Sequence, residues 1–371
     1  GQEERAATAD EAPRQEDAAA SLENAYLKVS AMPDGTLEIT DKVSGRVYGG
    51  MHQIVDEGDA GDEYTFSPPH NQTWVHSAGA AWSVVKADRH TLVLNGTMEI
   101  PARLAENRRA RAAETVGMPV TVHVRLKPDA ARIDIRTELE NRACDHRVRV
   151  LFPTKLKTQR SIAETHFGVV ERPVHPEPSE GWRERTSACY PQRRFVCVEA
   201  EGCGVAVLNK GLPEYQVTED GDIYLTLFRG VGWLSRDDLL TRAGHAGPKL
   251  PTPEAQCLGR HGFEYAVFVY QGGWQRSGVF REAEQFHVPL QARAVQRAKS
   301  ARERALAAAG PQPPDPLQAG IELISSCVVW SAMKKCEDDD DIIFRLFNPC
   351  GEAETVRLVS RIPLAGAWRA N

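Results

Sequence analysis

Three absences bound what this chain can be. None of its eight cysteines, at 144, 189, 197, 203, 257, 327, 336 and 350, stands in a CxxC pair, so zinc-ribbon spacing is missing. A chain of 371 residues does not depend on disulfide staples, and reduced, mostly buried thiols are expected. No apolar run approaches the ~18 to 20 residues of a membrane span, and the N-terminus GQEERAATADEAPRQED is acidic rather than patterned as a secretion signal. A cytoplasmic location with no membrane partner is the expectation. Concentrated basic sequence is also lacking. The net charge of −6 argues against nucleic acid, whose phosphates need clustered Lys and Arg. A neutral ligand, small or polymeric, fits better.

Motifs for catalysis are equally scarce. Eleven histidines are scattered without HxH, HxD or HExxH spacing, and there is no GxSxG elbow, P-loop or GxGxxG turn. Cleaving a glycosidic bond takes two carboxylates, about 5 Å apart for retention and farther for inversion. Acids are plentiful here, but none lies in a strongly apolar context that would raise its pKa. Asp134, Glu138 and Glu140 read as solvated strand residues.

What is present is period two. Hydrophobic residues make up 42% and charged residues 26%, the balance of a globular protein, and the length suits two or three domains or one large β structure. Leu37 and Ile39 alternate with polar residues after the Pro33-Asp34-Gly35 turn. So do Val120, Val122, Val124 and Leu126, and then Ile133, Ile135 and Leu139, with Arg132, Asp134 and Arg136 on the wet face. Asn95-Gly96 closes a hairpin or sits within a continuous strand with a glycine bulge. RRFVCVEAEGCGVAVLNKG gives two strands about Gly202, while DIYLTLFRG and FEYAVFVY are apolar enough to be central strands buried on both sides. Helix is scarce; SGVFREAEQF is a short candidate, with Ser277 as N-cap and Val279, Ala283 and Phe286 on one side.

This rhythm predicts an all-β protein, a large antiparallel sandwich rather than a βαβ fold. Residues 1–20, alanine and charge, read as a disordered tail or linker, and 21–290 as the large sandwich. Residues 291–317, rich in alanine and arginine and ending in Gly310 and prolines, read as a helical or flexible connector. Residues 318–371 begin a smaller, incomplete β unit.

The segment DEGDAGDEYTFSPP, 56–69, is the most distinctive. Asp56, Glu57, Asp59, Asp62 and Glu63 cannot all be buried, so a surface turn or wet cleft is expected, leading into a strand that points Tyr64 and Phe66 to one face. The plainest reading is a solvated acidic turn.

Six stretches, in order, resemble the C-terminal β region of the family 38 glycoside hydrolases, the α-mannosidases, and their bacterial members above all. They are LENAYLKVSAMPDGTLEITDKVSGRVYGG, DEGDAGDEYTFSPP, ENRACDHRVRVLFPT, RRFVCVEAEGCGVAVLNKGLPEY, LTLFRGVGWLSRDDLLTR and TPEAQCLGRHGFEYAV, with VVWSAMKK and IIFRLFNPCGE continuing the match. The resemblance implies a mutarotase-like supersandwich that supports an N-terminal catalytic barrel, in cis or as a separate chain. It implies retaining hydrolysis of α-mannosides, with the nucleophile and the zinc ligands in parts outside this sequence, so no cofactor is expected for this chain alone. It also implies that Tyr64 and Arg229 approach the sugar. Tyr64 offers a hydroxyl and a flat ring. Arg229 shares strand parity with Ile223, Leu225 and Leu227, which directs its donor fork inward as pairing ends at Gly230. The plain alternatives are a core-edge tyrosine and an ion pair with the loop acids.

Two other functions stand beside this one: a stand-alone carbohydrate-binding or scaffolding module, and an independent mutarotase-like enzyme using His123 and His261. The supporting-half reading predicts an exposed apolar patch where a barrel docks, or homo-oligomerisation that covers it.

Overall fold

The structure, a computed structural model, describes residues 20–288, 320–325, 327–361 and 363–368. The tail read over 1–20 (all but Ala20) and the connector read over 291–317 lie outside the described residues.

The chain is all-β, and its two large sheets are antiparallel throughout. The nine-stranded sheet runs, in spatial order, Gly168–Pro173, Arg160–Thr165, Phe195–Ala200, Cys203–Asn209, Gly259–Gln271, Arg132–Asn141, Thr115–Leu126, Thr91–Pro101 and Trp82–Asp88. The six-stranded sheet runs Cys189–Pro191, Glu214–Val217, Asp222–Gly230, His146–Pro153, Gln53–Gly58 and Trp74–His76. Their facing sides meet in one core, where Val122, Val124 and Val205 of the first sheet join Val148, Val150, Ile223 and Leu225 of the second. A four-stranded meander over Ser21–Glu23, Leu27–Ala31, Leu37–Asp41 and Val47–Met51 closes one end of that core through Leu22, Val29 and Ile39. The alternation legible in the sequence is therefore the face alternation of strands with one side in the core.

Both apolar runs are central strands. Gly259–Gln271 lies fifth in the nine-stranded sheet and Asp222–Gly230 third in the six-stranded one. The hairpin about Gly202 forms as read, with Ala200 opposite Cys203 across Glu201 and Gly202, both at positive φ. Asn95-Gly96 does not turn; the strand runs unbroken from Thr91 to Pro101, with Gly96 opposite Val120. The glycine is needed for room, because an added Cβ would come within 2.8 Å of the Trp82 indole lying across it.

The outer face of the nine-stranded sheet is covered at one end by the helix Val279–His287, whose Val279, Phe280, Ala283 and Phe286 pack on Phe195, Ala266 and Phe268. Its N-cap is Gly278 at φ +81°, not Ser277, which ends a preceding turn of helix and accepts the Val279 N–H on its hydroxyl at 3.1 Å. Arg132, expected to be wet, is buried there, because Phe286 lies under its guanidinium and Glu282 pairs with it at 3.0 Å.

The C-terminal residues form two short antiparallel pairs, Ile321–Ile324 with Arg357–Ser360 and Val329–Lys335 with Ile342–Phe347, the latter a hairpin joined through the acidic turn. Val329 and Phe347 pack on the helix cluster. Reduced cysteines were the expectation for the whole chain, but Cys327 and Cys350 are joined as a disulfide. Pairing of Val329 with Phe347 brings Cys327 and Cys350, which lie just beyond it on either side, to the same end of the strand pair, which linear spacing alone does not reveal. The other six are free.

Candidate sugar-facing site

Four of the five carboxylates in the acidic segment are buried, against the expectation of a solvated turn; Glu63 alone is exposed. A buried carboxylate needs a cation or several N–H donors, and each of the four has them. Asp56 is paired with Arg111 and lies 2.6 Å from His146 Nδ1. Glu57 accepts from Arg147 Nε at 2.9 Å, and Arg149 Nε lies 2.7 Å from the same oxygen without a hydrogen bond's alignment. Asp59 accepts from Arg229 Nε at 2.7 Å, and Asp62 is paired with Arg242.

These acids shape the loop from within. Asp59 Oδ1 accepts the Gly61 and Ser67 N–H groups at 2.9 and 3.3 Å, while Asp62 Oδ1 accepts those of Tyr64 and Thr65 at 3.1 and 2.9 Å. Residues 59–73 are therefore a loop folded around two carboxylates, not the aromatic strand expected after the turn. Burial acts to raise the Asp62 carboxyl, but the Arg242 guanidinium and the N–H groups of Arg236 and Thr65 outweigh it and hold the group below the usual carboxylate range.

Two further loops are locked to this one. Arg242 also donates to Thr65 Oγ1 at 2.6 Å and to the Arg236 carbonyl at 3.0 Å, and the Trp233 carbonyl accepts the Glu63 N–H at 3.1 Å. Arg183 donates to the Ala243 and His245 carbonyls at 2.9 and 3.0 Å, which brings in residues 179–187. Tyr64 at 57% exposure, Trp182 at 66% and Leu250 at 51% stand on these joined loops with their apolar surface open.

Arg229 is present at this end of the sheet, but by a route the sequence reading missed. In the pairing of Asp222–Gly230 with His146–Pro153 the register shifts between Val148 and Arg149, so that Arg147 faces Arg229 while Arg149 faces Thr226. That β-bulge at Leu227 reverses the parity. Arg229 leaves the core face of Ile223 and Leu225 and joins Arg147, Arg149 and Thr226 on the opposite, polar face. There its Nη2 donates to the Asp62 carbonyl at 2.9 Å, and Phe66 lies under the guanidiniums of both Arg147, at 3.5 Å, and Arg229, at 5.8 Å. Burial lowers the pKa of Arg147, yet Glu57, Cys189 and Glu214 more than restore it; burial and the neighbouring Arg147 leave Arg149 depressed.

The structure thus brings Tyr64 and Arg229 to one loop, both bonded to Asp62, one through a backbone N–H and one through a guanidinium. The ion pair with loop acids, the plain alternative for Arg229, is real. Tyr64 is not a core-edge residue. Arg242, Arg236 and Ser235, which hold the site together, carried no signal in sequence, since their partners lie 174 to 180 residues away or within their own loop. His123 and His261 do not converge. His261 stacks on Phe228 between the sheets, 5.4 Å between ring centres, and lies opposite Leu139; His123 lies opposite Arg136 on the outer face of the nine-stranded sheet.

Among the described residues no group of three or more His, Cys, Asp or Glu could hold a metal ion. The buried carboxylates are committed to arginines and backbone, so this donor set does not fit zinc. Among the described residues no helix is long and apolar enough to cross a membrane.

Comparison with known proteins gives a consistent picture. The family model described as "Glycosyl hydrolases family 38 C-terminal domain" matches residues 22–239, and "Glycosyl hydrolases family 38 C-terminal beta sandwich domain" matches 328–371. A "Putative mannosylglycerate hydrolase" of Halalkalibacterium halodurans is 26% identical over 357 residues, covering 91% of this chain and 37% of that protein. Mouse "Alpha-mannosidase 2C1" is 22% identical, covering 95% of this chain and 30% of its own. The crystal structure of an alpha-mannosidase from Enterococcus faecalis V583 superposes with a TM-score of 0.78 at 25% identity, over 92% of this chain and 38% of that one. The chain spans about a third of the length of the curated relatives it matches.

Proposed function

The chain belongs to the family of the glycosyl hydrolases family 38 C-terminal domain, and from that premise we propose that it is the supporting half of a retaining α-mannosidase, contributing to the sugar site but inactive alone. The observation that carries the reading is the loop 59–69, held by the carboxylates of Asp59 and Asp62, tied to Arg229 through both residues, and presenting an exposed Tyr64.

In this reading Tyr64 meets the sugar with its ring face and hydroxyl, an arrangement suited to a pyranose with one apolar side and many hydroxyls. Arg229 has two of its donors engaged by Asp59 and Asp62; its part is to fix the loop and to present its remaining N–H groups toward the hydroxyls. The wider network of Arg147, Arg149, Arg242 and their acids keeps water and motion out of the loop's underside. The nucleophile and acid/base come from a separate catalytic barrel, and zinc has no place among these residues. Trp182 and Leu250, exposed on the same joined loops, supply the apolar surface that such a barrel would cover.

The test is hydrolysis of an aryl α-mannoside by the purified 371-residue chain with added zinc, and by the chain mixed with a family 38 barrel polypeptide. The reading predicts no turnover in the first case and turnover in the second. Turnover by the chain alone overturns the supporting role, and sugar binding with no gain from any barrel favours the carbohydrate-binding module instead.

A further inference from the structure

Tyr64 is exposed on a loop, yet its ring is not free to lie anywhere. Beneath it is Gly247, and a Cβ built there would have as its three nearest neighbours the Tyr64 Oη at 2.9 Å, Cε2 at 3.2 Å and Cζ at 3.4 Å. No other residue supplies a contact among the three. The Gly247 backbone is not in the left-handed region that only glycine favours, so its conformation does not demand glycine. What demands it is the phenol. The strand of backbone that carries it is fixed: the Ala246 and Gly247 N–H groups both donate to the buried Ser235 Oγ, at 3.0 and 3.2 Å, and the neighbouring His245 carbonyl is held by Arg183.

We propose that Gly247 is a positioning residue for the sugar site: the absence of a side chain there makes the seat on which the Tyr64 ring lies, and so sets where its hydroxyl is presented. This rests on the reading of Tyr64 as a sugar contact. A methyl group on that seat would lift the phenol by a few tenths of an ångström or swing it to another rotamer, while leaving the loop's hydrogen bonds and ion pairs untouched.

The experiment labels the full chain with 3-fluorotyrosine and assigns the Tyr64 resonance with Tyr64→Phe. In Gly247→Ala the Tyr64 fluorine signal is expected to move while those of the other tyrosines stay; an unmoved Tyr64 signal overturns the proposal. Should Gly247→Ala fail to fold, the double variant with Tyr64→Ala decides. Folding restored by removal of the ring supports the seat, and failure of the double variant shows a backbone role and overturns it. A second arm titrates methyl α-mannoside. Gly247→Ala is expected to bind about fivefold more weakly, the worth of one neutral hydrogen bond, with no further loss in the Tyr64→Ala background. An additive loss in that background contradicts the positioning role. Equal binding by the wild type and Tyr64→Ala would sink the sugar reading, while the fluorine signal still decides whether Gly247 seats the ring.

Discussion

Arg229 stands directly opposite Arg147 across the strand pairing, and both guanidiniums lie over the ring of Phe66. Two like charges side by side are tolerated because Glu57 and Glu214 serve Arg147 while Asp59 serves Arg229. The face is a neutralised lattice of arginines and acids on the side of the sheet away from the core. Its end supports the loop that carries Tyr64.

Arg229→Met tests that support. It leaves the fully buried Asp59 with only two backbone donors, and breaking a buried pair in this way costs about 3–5 kcal/mol. Urea denaturation is expected to show that loss, with Arg229→Lys between the two because it keeps the charge and loses the fork. A midpoint for Arg229→Met equal to the wild type would mean that the loop does not depend on the pair.

How much of this was legible beforehand depended on whether the signal was local. Alternation along Thr115–Leu126 and Arg132–Asn141 announced strands, and the glycine turn at Gly202 announced its hairpin, because each rests on neighbours in the chain. The acidic segment misled for the opposite reason. Composition says that Asp56, Glu57, Asp59 and Asp62 belong in water unless cations meet them, and those cations come from 55 to 180 residues away. Arg229 pairs with a loop acid, the plain alternative read for it, but on the face opposite the one expected, because parity counted through Leu227 misses a bulge that inserts one residue and flips the rest of the strand. The Cys327–Cys350 bond likewise follows from strand register, not from spacing.

A buried histidine makes stability depend on pH. His52 lies in the core, 2.7 Å from the Tyr265 hydroxyl, and burial lowers its pKa to about 4. The folded state keeps it neutral while the unfolded chain protonates it below about 6.5. Its penalty is therefore absent at neutral pH, grows as pH falls below that value, and levels off below the folded pKa, at a total on the order of 3 kcal/mol. Replacing it by glutamine is expected to lower stability at pH 7 and to flatten the decline between about pH 6.5 and 4. Parallel declines for the two proteins in denaturation series would contradict the assignment.

Peptide mapping without reductant checks the C-terminal hairpin. One cross-link, Cys327 to Cys350, is expected, with Cys144, Cys189, Cys197, Cys203, Cys257 and Cys336 all alkylated after unfolding. Closing a loop with a sequence separation of 23 is worth about 3 kcal/mol to the unit it staples. Cys350→Ser should therefore speed proteolysis within 320–368 while leaving the large sandwich intact. Protection unchanged by the substitution would show that packing on the helix Val279–His287 suffices.

The most direct test of the central claim is a calorimetric titration of the chain with methyl α-mannoside, wild type beside Tyr64→Ala. The account predicts weak binding, with a dissociation constant on the order of millimolar, and its weakening by about fivefold when Tyr64 is truncated. No heat from the wild type at tens of millimolar sugar, or the same heat from both proteins, would contradict it.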